Sequence, residues 1–253
     1  MAIIVVLIAL AVPAVNSING AGSFTGAIST ITGTLEQART YAMANNTYVY
    51  VGILEEDAST SPSATPPRGT AGGNGGRVVM AVVASKNGLP GYDLTDPQTT
   101  WKNGYNKGTN LTVIGKPTKL DNVHLAVINN PDAITPPTTP DPKKRMQRVT
   151  TADVYQLGHL KCVSLTPFAY PPGGPLESGY QYYFDKVIGF DPQGTTRIIT
   201  QIPDADSNPL QIEIGLLPTH GAASPTPPID PSTGQQVAIQ MDGITSALHI
   251  YRP

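Results

Sequence analysis

The chain has 253 residues, 13% of them charged, with Lys+Arg 16 against Asp+Glu 18 for a net charge of -2. That balance excludes a polycationic face for nucleic acid and an acidic tail, so no nucleic-acid partner is expected. With 25 glycines, 25 prolines and a single cysteine, Cys162, the composition excludes an intrachain disulfide and a multi-cysteine metal site. It describes a loop-rich, β-rich protein displayed outside the cytoplasm.

The first element is an uncharged apolar run, "MAIIVVLIALAV", closed by Pro13. As a helix it reaches only roughly 18 Å at about 1.5 Å per residue, whereas a hydrocarbon core of roughly 30 Å needs about 20 residues. Ile3, Ile4, Val5, Val6, Leu7, Ile8, Leu10 and Val12, with Pro13, are the candidate anchor or assembly residues. One reading of the run is a secretory signal peptide, whose apolar region has this length. The basic segment that precedes such a region is missing, however, and a patterned helix follows Pro13 directly. Phe24, Ile28, Ile31, Leu35, Ala38 and Ala42 recur at alternate spacings of four and three, with Thr, Ser, Gln and Arg between them. That spacing predicts an amphipathic helix packing this stripe against a sheet. Asn45 and Asn46 tolerate the left-handed conformation that closes helices, and "TYVYVGILEE" then turns to β-branched and aromatic residues.

Further strands are predicted at 48–54, 77–84, 111–114, 123–128, 180–190, 195–202, 210–216, 237–241 and 247–251. Between them stand "STSPSATPPRGTAGGNGG", "NNPDAITPPTTPDPKKRMQR", "TPFAYPPGGPLESG" and "THGAASPTPPIDPSTG". Too few residues separate these stretches to build independent cores, so they read as long surface loops. The expected fold class is α+β: a long N-terminal helix, apolar half then amphipathic half, packed on an antiparallel sheet with long Pro/Gly-rich loops. Residues 1–22 form the apolar half, 23–46 the amphipathic half, and 47–253 a β-rich domain that makes one module with 23–46.

Chemical motifs are weak. His124, His159, His220 and His249 are scattered, without a second ligand at the spacing that places two imidazoles on one helix face. "GTAGGNGG" lacks the Lys-Ser/Thr of a phosphate loop. "DADSN" begins like a calcium loop, but Pro209 and Gly215 stand where its glycine and bidentate glutamate belong. "HLKCVSL" makes Cys162 a buried small hydrophobe rather than a nucleophile. "KKRMQR" is a solvated basic loop, and no G-x-S-x-G motif occurs. No catalytic residue, cofactor or metal is expected.

Three stretches together carry a family resemblance. "LEQARTYAMANNTYVYVGI" resembles the helix end and first strand of type IV pilin-like proteins, and more narrowly of the H-type minor pseudopilins of type II secretion. "VIGFDPQG" resembles that family's strand and "F.P.G" turn, and "VAIQMDGITSALHIYRP" its closing hairpin. The resemblance implies a non-enzymatic filament subunit anchored as a single span in the inner membrane, its domain on the periplasmic side. The implied partners are other pilin-like subunits, inner-membrane components of the secretion or pilus machine, the membrane, and a prepilin peptidase acting on the full-length precursor. It also implies that Met1 lies inside a longer apolar segment, with about nine further residues, one of them glutamate, completing a span of roughly 20. The competing expectation is an exported surface- or carbohydrate-binding β-protein, cleaved from a signal peptide, with "GYQYYFDK" as its binding strip.

Overall fold

In β1 (Val49–Asp57) every side chain through Leu54 is buried, and the strand pairs on both sides, with β2 (Gly76–Ser85) and β7 (Lys186–Phe190). A strand covered on both faces reads as a continuous apolar run rather than an alternating one, which is why "VYVGIL" shows no polar face. The computed structural model describes residues 2–58, 75–91, 110–128, 154–157, 167–172, 181–198, 211–219 and 236–252, without the side chains of 2–22 and 154–156. The remaining elements are α1 (Ala2–Ala44), β3 (Leu111–Ala126), β4 (Val154–Gln156), β5 (Phe168–Tyr170), β6 (Tyr182–Phe184), β8 (Thr196–Arg197), β9 (Gln211–Pro218), β10 (Val237–Asp242) and β11 (Leu248–Tyr251). The sheet runs β11-β10-β9-β3-β2-β1-β7-β8, with neighbours on this path antiparallel; β4 pairs in parallel with β9, and β5 and β6 form a separate ribbon.

This architecture corrects the expected fold class. Over the residues whose side chains are described, which for α1 begin at Ser23, the structure is 54% strand and 18% helix, built on a large antiparallel sheet of 8 strands. It is mostly β rather than a long helix packed on a sheet. The physical reason lies in where the packing is: the helical core residues begin at Phe24, while the strands contribute the bulk of both hydrophobic clusters.

Strand boundaries also move. The predicted strands 111–114 and 123–128 are one long strand, because the turn-type residues between them form bulges instead of a break. Ala81 of β2 faces the three residues between Ile114 and Thr118, where Gly115 has φ 75° and Pro117 has no N–H to give to the ladder. Asn122, at φ 61°, is the extra residue of a second bulge. The predicted strand 180–190 is conversely two, since β6 leaves the main sheet to pair with β5. Phe168, placed by the sequence reading in a surface loop, is fully buried on β5.

The helix ends as its asparagines suggest. Asn46 adopts φ 48°, its N–H reaches Met43 O at 3.5 Å and the Thr47 N–H reaches Ala42 O at 3.1 Å, the paired bonds of a left-handed C-terminal cap. Within α1, Gly33 is exposed, and a Cβ there meets nothing within 4 Å. Gly33→Ala is therefore expected to stabilise the protein by about 0.5–1 kcal/mol through helix propensity and a less flexible unfolded chain, read as a raised denaturant midpoint.

The two faces of the sheet build different cores. On one, α1 packs with Val49, Val51 and Ile53 of β1, Ile188 and Phe190 of β7, Ile212, Ile214 and Leu216 of β9, and Ile239 and Met241 of β10. On the other, Tyr50, Leu54, Val79, Ala81, Val83 and Val187 are covered by Phe168, Tyr182 and Phe184 of the ribbon. The Phe168 and Phe184 rings stand 5.1 Å apart at 37°, directly over Gly52, where a Cβ would come within 2.5–2.7 Å of both side chains.

The β8 end of the sheet comes round to the turn between β10 and β11. Thr196 N of β8 donates to Gly243 O at 3.2 Å, in the turn between β10 and β11, and Ser246 Oγ donates to Gly194 O at 2.7 Å. The Thr196 and Ser246 hydroxyls also share a hydrogen bond. Right-handed twist accumulated along the sheet brings β8 to that turn, and the buried stretch of α1 packs on one face of the sheet.

Candidate functional site

The candidate packing residues form one line along α1. Phe24 is 9% exposed, and Ile28, Ile31, Leu35, Ala38 and Ala42 are 2% or less. All six belong to the core cluster shared with β1, β2, β3, β7, β9 and β10. Ala27, at 3% exposure, joins them although it is not among the predicted stripe residues; its spacing, three residues from Phe24 and four before Ile31, is the signal that places it on the same face. Gln37 is exposed on the outer face. The side chains of the candidate anchor residues Ile3, Ile4, Val5, Val6, Leu7, Ile8, Leu10, Val12 and Pro13 lie outside the described residues, as do Cys162, His159, His220 and the motifs at 143–148 and 204–208.

Near its C-terminal end the helix is clamped by the turn after β7. Asp191 Oδ1 accepts the N–H groups of Gln193 (3.0 Å) and Thr195 (2.9 Å), and Asp191 Oδ2 stands 3.3 Å from Arg197 Nε. The "DPQGT" turn is thus fixed by an aspartate that is only 3% exposed. Gly194, at φ 78°, lies against α1 so closely that a Cβ would come within 2.8 Å of Met43 Sδ. Its carbonyl accepts from Arg39 Nε at 3.3 Å and from Ser246 Oγ. One backbone carbonyl therefore joins the helix, the β7–β8 turn and the closing hairpin.

The hairpin turn is itself capped. Asp242 Oδ1 accepts the Thr245 N–H (2.6 Å), the Thr245 hydroxyl (2.9 Å) and the Ile244 N–H (3.0 Å). The Thr245 N–H, helped by the Thr245 hydroxyl, the Ile244 N–H and nearby His249, holds this carboxyl below its ordinary value despite some desolvation. A depressed folded-state pKa contributes stability that is present above the unfolded pKa of about 3.9 and lost as pH falls through the folded value. Asp242→Asn should accordingly melt below the parent near pH 6, with the gap closing as the pH drops towards 3 and below. Melting curves across that range check it; a gap that does not narrow contradicts it.

A polar cluster ties the far ends of β1, β2 and β3. Glu55 Oε1 stands 2.6 Å from His124 Nδ1 and accepts Gly76 N at 3.0 Å, while Oε2 accepts Leu125 N at 3.1 Å. Arg77 pairs with Glu56 at 3.0 Å and with Asp121; chiefly the Asp121 hydrogen bond, against desolvation and with Glu56 adding to it, raises its pKa further. In the sequence His124 stands without a second ligand at helical spacing. Its partner is 69 residues away on a non-adjacent strand, and no local spacing signals such a pair. Each acceptor oxygen of Glu55 is spent on the ends of the strands, so the cluster works as a latch.

Among the described residues no group of three or more His, Cys, Asp or Glu side chains could hold a metal ion, and no helix is long and apolar enough to cross a membrane. A seam with a buried apolar stripe, a clamped turn and a capped hairpin can transmit load between α1 and the sheet. No family model matches this chain, and no curated protein or solved structure matches it either.

Proposed function

We propose that the chain is a structural subunit of a type IV pilus-like filament or a type II secretion pseudopilus, a minor pilin-like protein and not an enzyme. The observation that supports this most is the locking of α1 into the sheet. From Phe24 to Ala42 its apolar stripe is buried, and at Arg39 and Met43 it is clamped by the Gly194 turn. Whatever holds the apolar run at residues 1–12 therefore holds the whole domain. A run with no polar face must bury itself, in a bilayer or against like segments of other subunits. Packing such segments at a filament centre leaves the sheets facing outward. Pro13, which removes a backbone hydrogen bond, loosens the junction between assembly segment and domain. Other pilin-like subunits, inner-membrane components of the machine and a prepilin peptidase acting on a longer precursor are the partners under this reading. The domain then lies on the periplasmic side of the inner membrane.

The competing reading, an exported surface- or carbohydrate-binding protein, relied on "GYQYYFDK" as a strip of displayed aromatics. Among the described residues of that stretch, Tyr182 and Phe184 are fully buried and Tyr183 is 37% exposed. Mass spectrometry of the mature N-terminus, on protein recovered from fractionated cells, separates the two. Retention of residues 1–12 in membrane-associated protein is expected. A soluble species cleaved after Pro13 overturns the filament reading in favour of the exported one.

A further inference from the structure

The two ends of the sheet path are protected unequally. At one end β8 is two residues long and its Thr196 N is taken by Gly243 O. The stretch of β3 before Val123, which among the described residues pairs only with β2, carries Lys116, Pro117, Lys119 and two bulges, features that keep an open edge from recruiting strands. At the other end β11, "LHIY", has no proline, lysine or bulge and among the described residues pairs only with β10.

Its free hydrogen-bonding groups can be assigned. Asp242 N donates to Ala247 O at 3.0 Å, and the register continues Met241↔Leu248, Gln240↔His249, Ile239↔Ile250 and Ala238↔Tyr251. Bonded and non-bonded pairs alternate in an antiparallel ladder, so Ala247, His249 and Tyr251 bond to β10. Leu248 and Ile250 direct their N–H and C=O groups outward. Ile250 is 47% exposed and Ile244, in the adjoining turn, 66%.

We propose that β11 is a self-pairing edge, through which a second copy of this chain adds its own β11 antiparallel about a twofold axis at His249. In that register Leu248 faces the second copy's Ile250, and each of the two symmetric pairs exchanges both N–H···O bonds, four in all. The apolar pattern reads the same in both directions, which a twofold contact requires. Charge selects the same arrangement. Exposed Arg252 comes opposite Ser246 of the second copy, in a "DGITS" turn whose one charged residue is Asp242, and symmetry makes the contact twice.

The test uses the full chain, in detergent that disperses its apolar run, with Cys162 replaced by serine. His249 lies opposite itself across the axis, within the Cα separation of about 4.4–6.8 Å that a disulfide spans. Tyr251 lies about 14 Å from its own copy at about 3.4 Å per residue. His249→Cys is expected to form a disulfide-linked dimer under mild oxidation, and Tyr251→Cys to remain monomeric. Ile250→Pro removes an outward N–H that β10 does not use, so the fold keeps its ladder while dimer yield from His249→Cys falls at least about tenfold. Equal cross-linking at both cysteines, no cross-linking at either, or a yield unaffected by Ile250→Pro overturns the proposal. Because the readout is register at β11, it is independent of whether residues 1–12 drive a filament.

Discussion

Leu35→Asp is expected to destabilise the protein by about 4 kcal/mol or more, while Gln37→Asp changes stability by no more than about 0.5 kcal/mol. Leu35 is 1% exposed in the middle of the α1 stripe. Emptying a buried leucine site costs about 2–5 kcal/mol, and an unpaired carboxylate there adds desolvation or forces its own protonation. Gln37, two positions on, faces solvent and typifies surface changes. At about 2–4 °C per kcal/mol for a chain of this size, the first variant should lose roughly 10 °C in Tm and the second almost nothing. Equal midpoints would show that the helix does not pack by this stripe.

Gly52→Ala carries the second largest effect. The added Cβ meets Phe184 Cγ at 2.5 Å, Phe184 Cβ at 2.6 Å and Phe168 Cζ at 2.7 Å. None of these contacts is the loose end of a flexible side chain: both rings are fully buried, and Phe184 is held by its ladder with β5. Overpacking of this kind costs about 1–3 kcal/mol, here at the upper end, since the ribbon must lift from the sheet to make room. Loss should appear as a lower denaturant midpoint with increased near-ultraviolet signal change from the tyrosines on that face. The same chemical change at Gly33 is expected to stabilise, so the pair separates packing from backbone effects. A neutral Gly52→Ala would mean that the β5–β6 ribbon does not seat on the sheet as described.

Sequence pattern served best where periodicity and exposure coincide. The stripe from Phe24 to Ala42 was legible because an amphipathic helix displays its buried face at a spacing nothing else produces. The helix end was legible because asparagine at positive φ is a local property. Pattern failed where tertiary context reassigns a residue's meaning. Gly115, Pro117 and Asn122 look like a chain break and are bulges inside one strand, because the strand's continuity is set by β2 alongside it. Asp185 looked like the interior of a strand and is the point at which the chain changes sheets. The weight given to the helix in the expected fold class was misplaced for a related reason: periodicity makes a helix conspicuous, while short strands such as β4 and β5 leave almost no trace in sequence. At the candidate site, the Asp191 turn was visible as "DPQG", yet its attachment to Arg39 and Ser246 involves residues 155 and 52 positions from Gly194. The Glu55–His124 latch is hidden likewise.

The claim that residues 1–12 are the assembly element, and that the locked helix passes their hold to the domain, is tested most directly by sedimentation equilibrium in buffer without detergent. The full chain and a chain beginning at Gly22 are compared, both carrying Ile250→Pro so that β11 pairing does not contribute. The full chain is predicted to form species larger than a dimer that detergent disperses, and the shorter chain to remain a folded monomer. A full-length chain that sediments as a monomer in plain buffer contradicts the account.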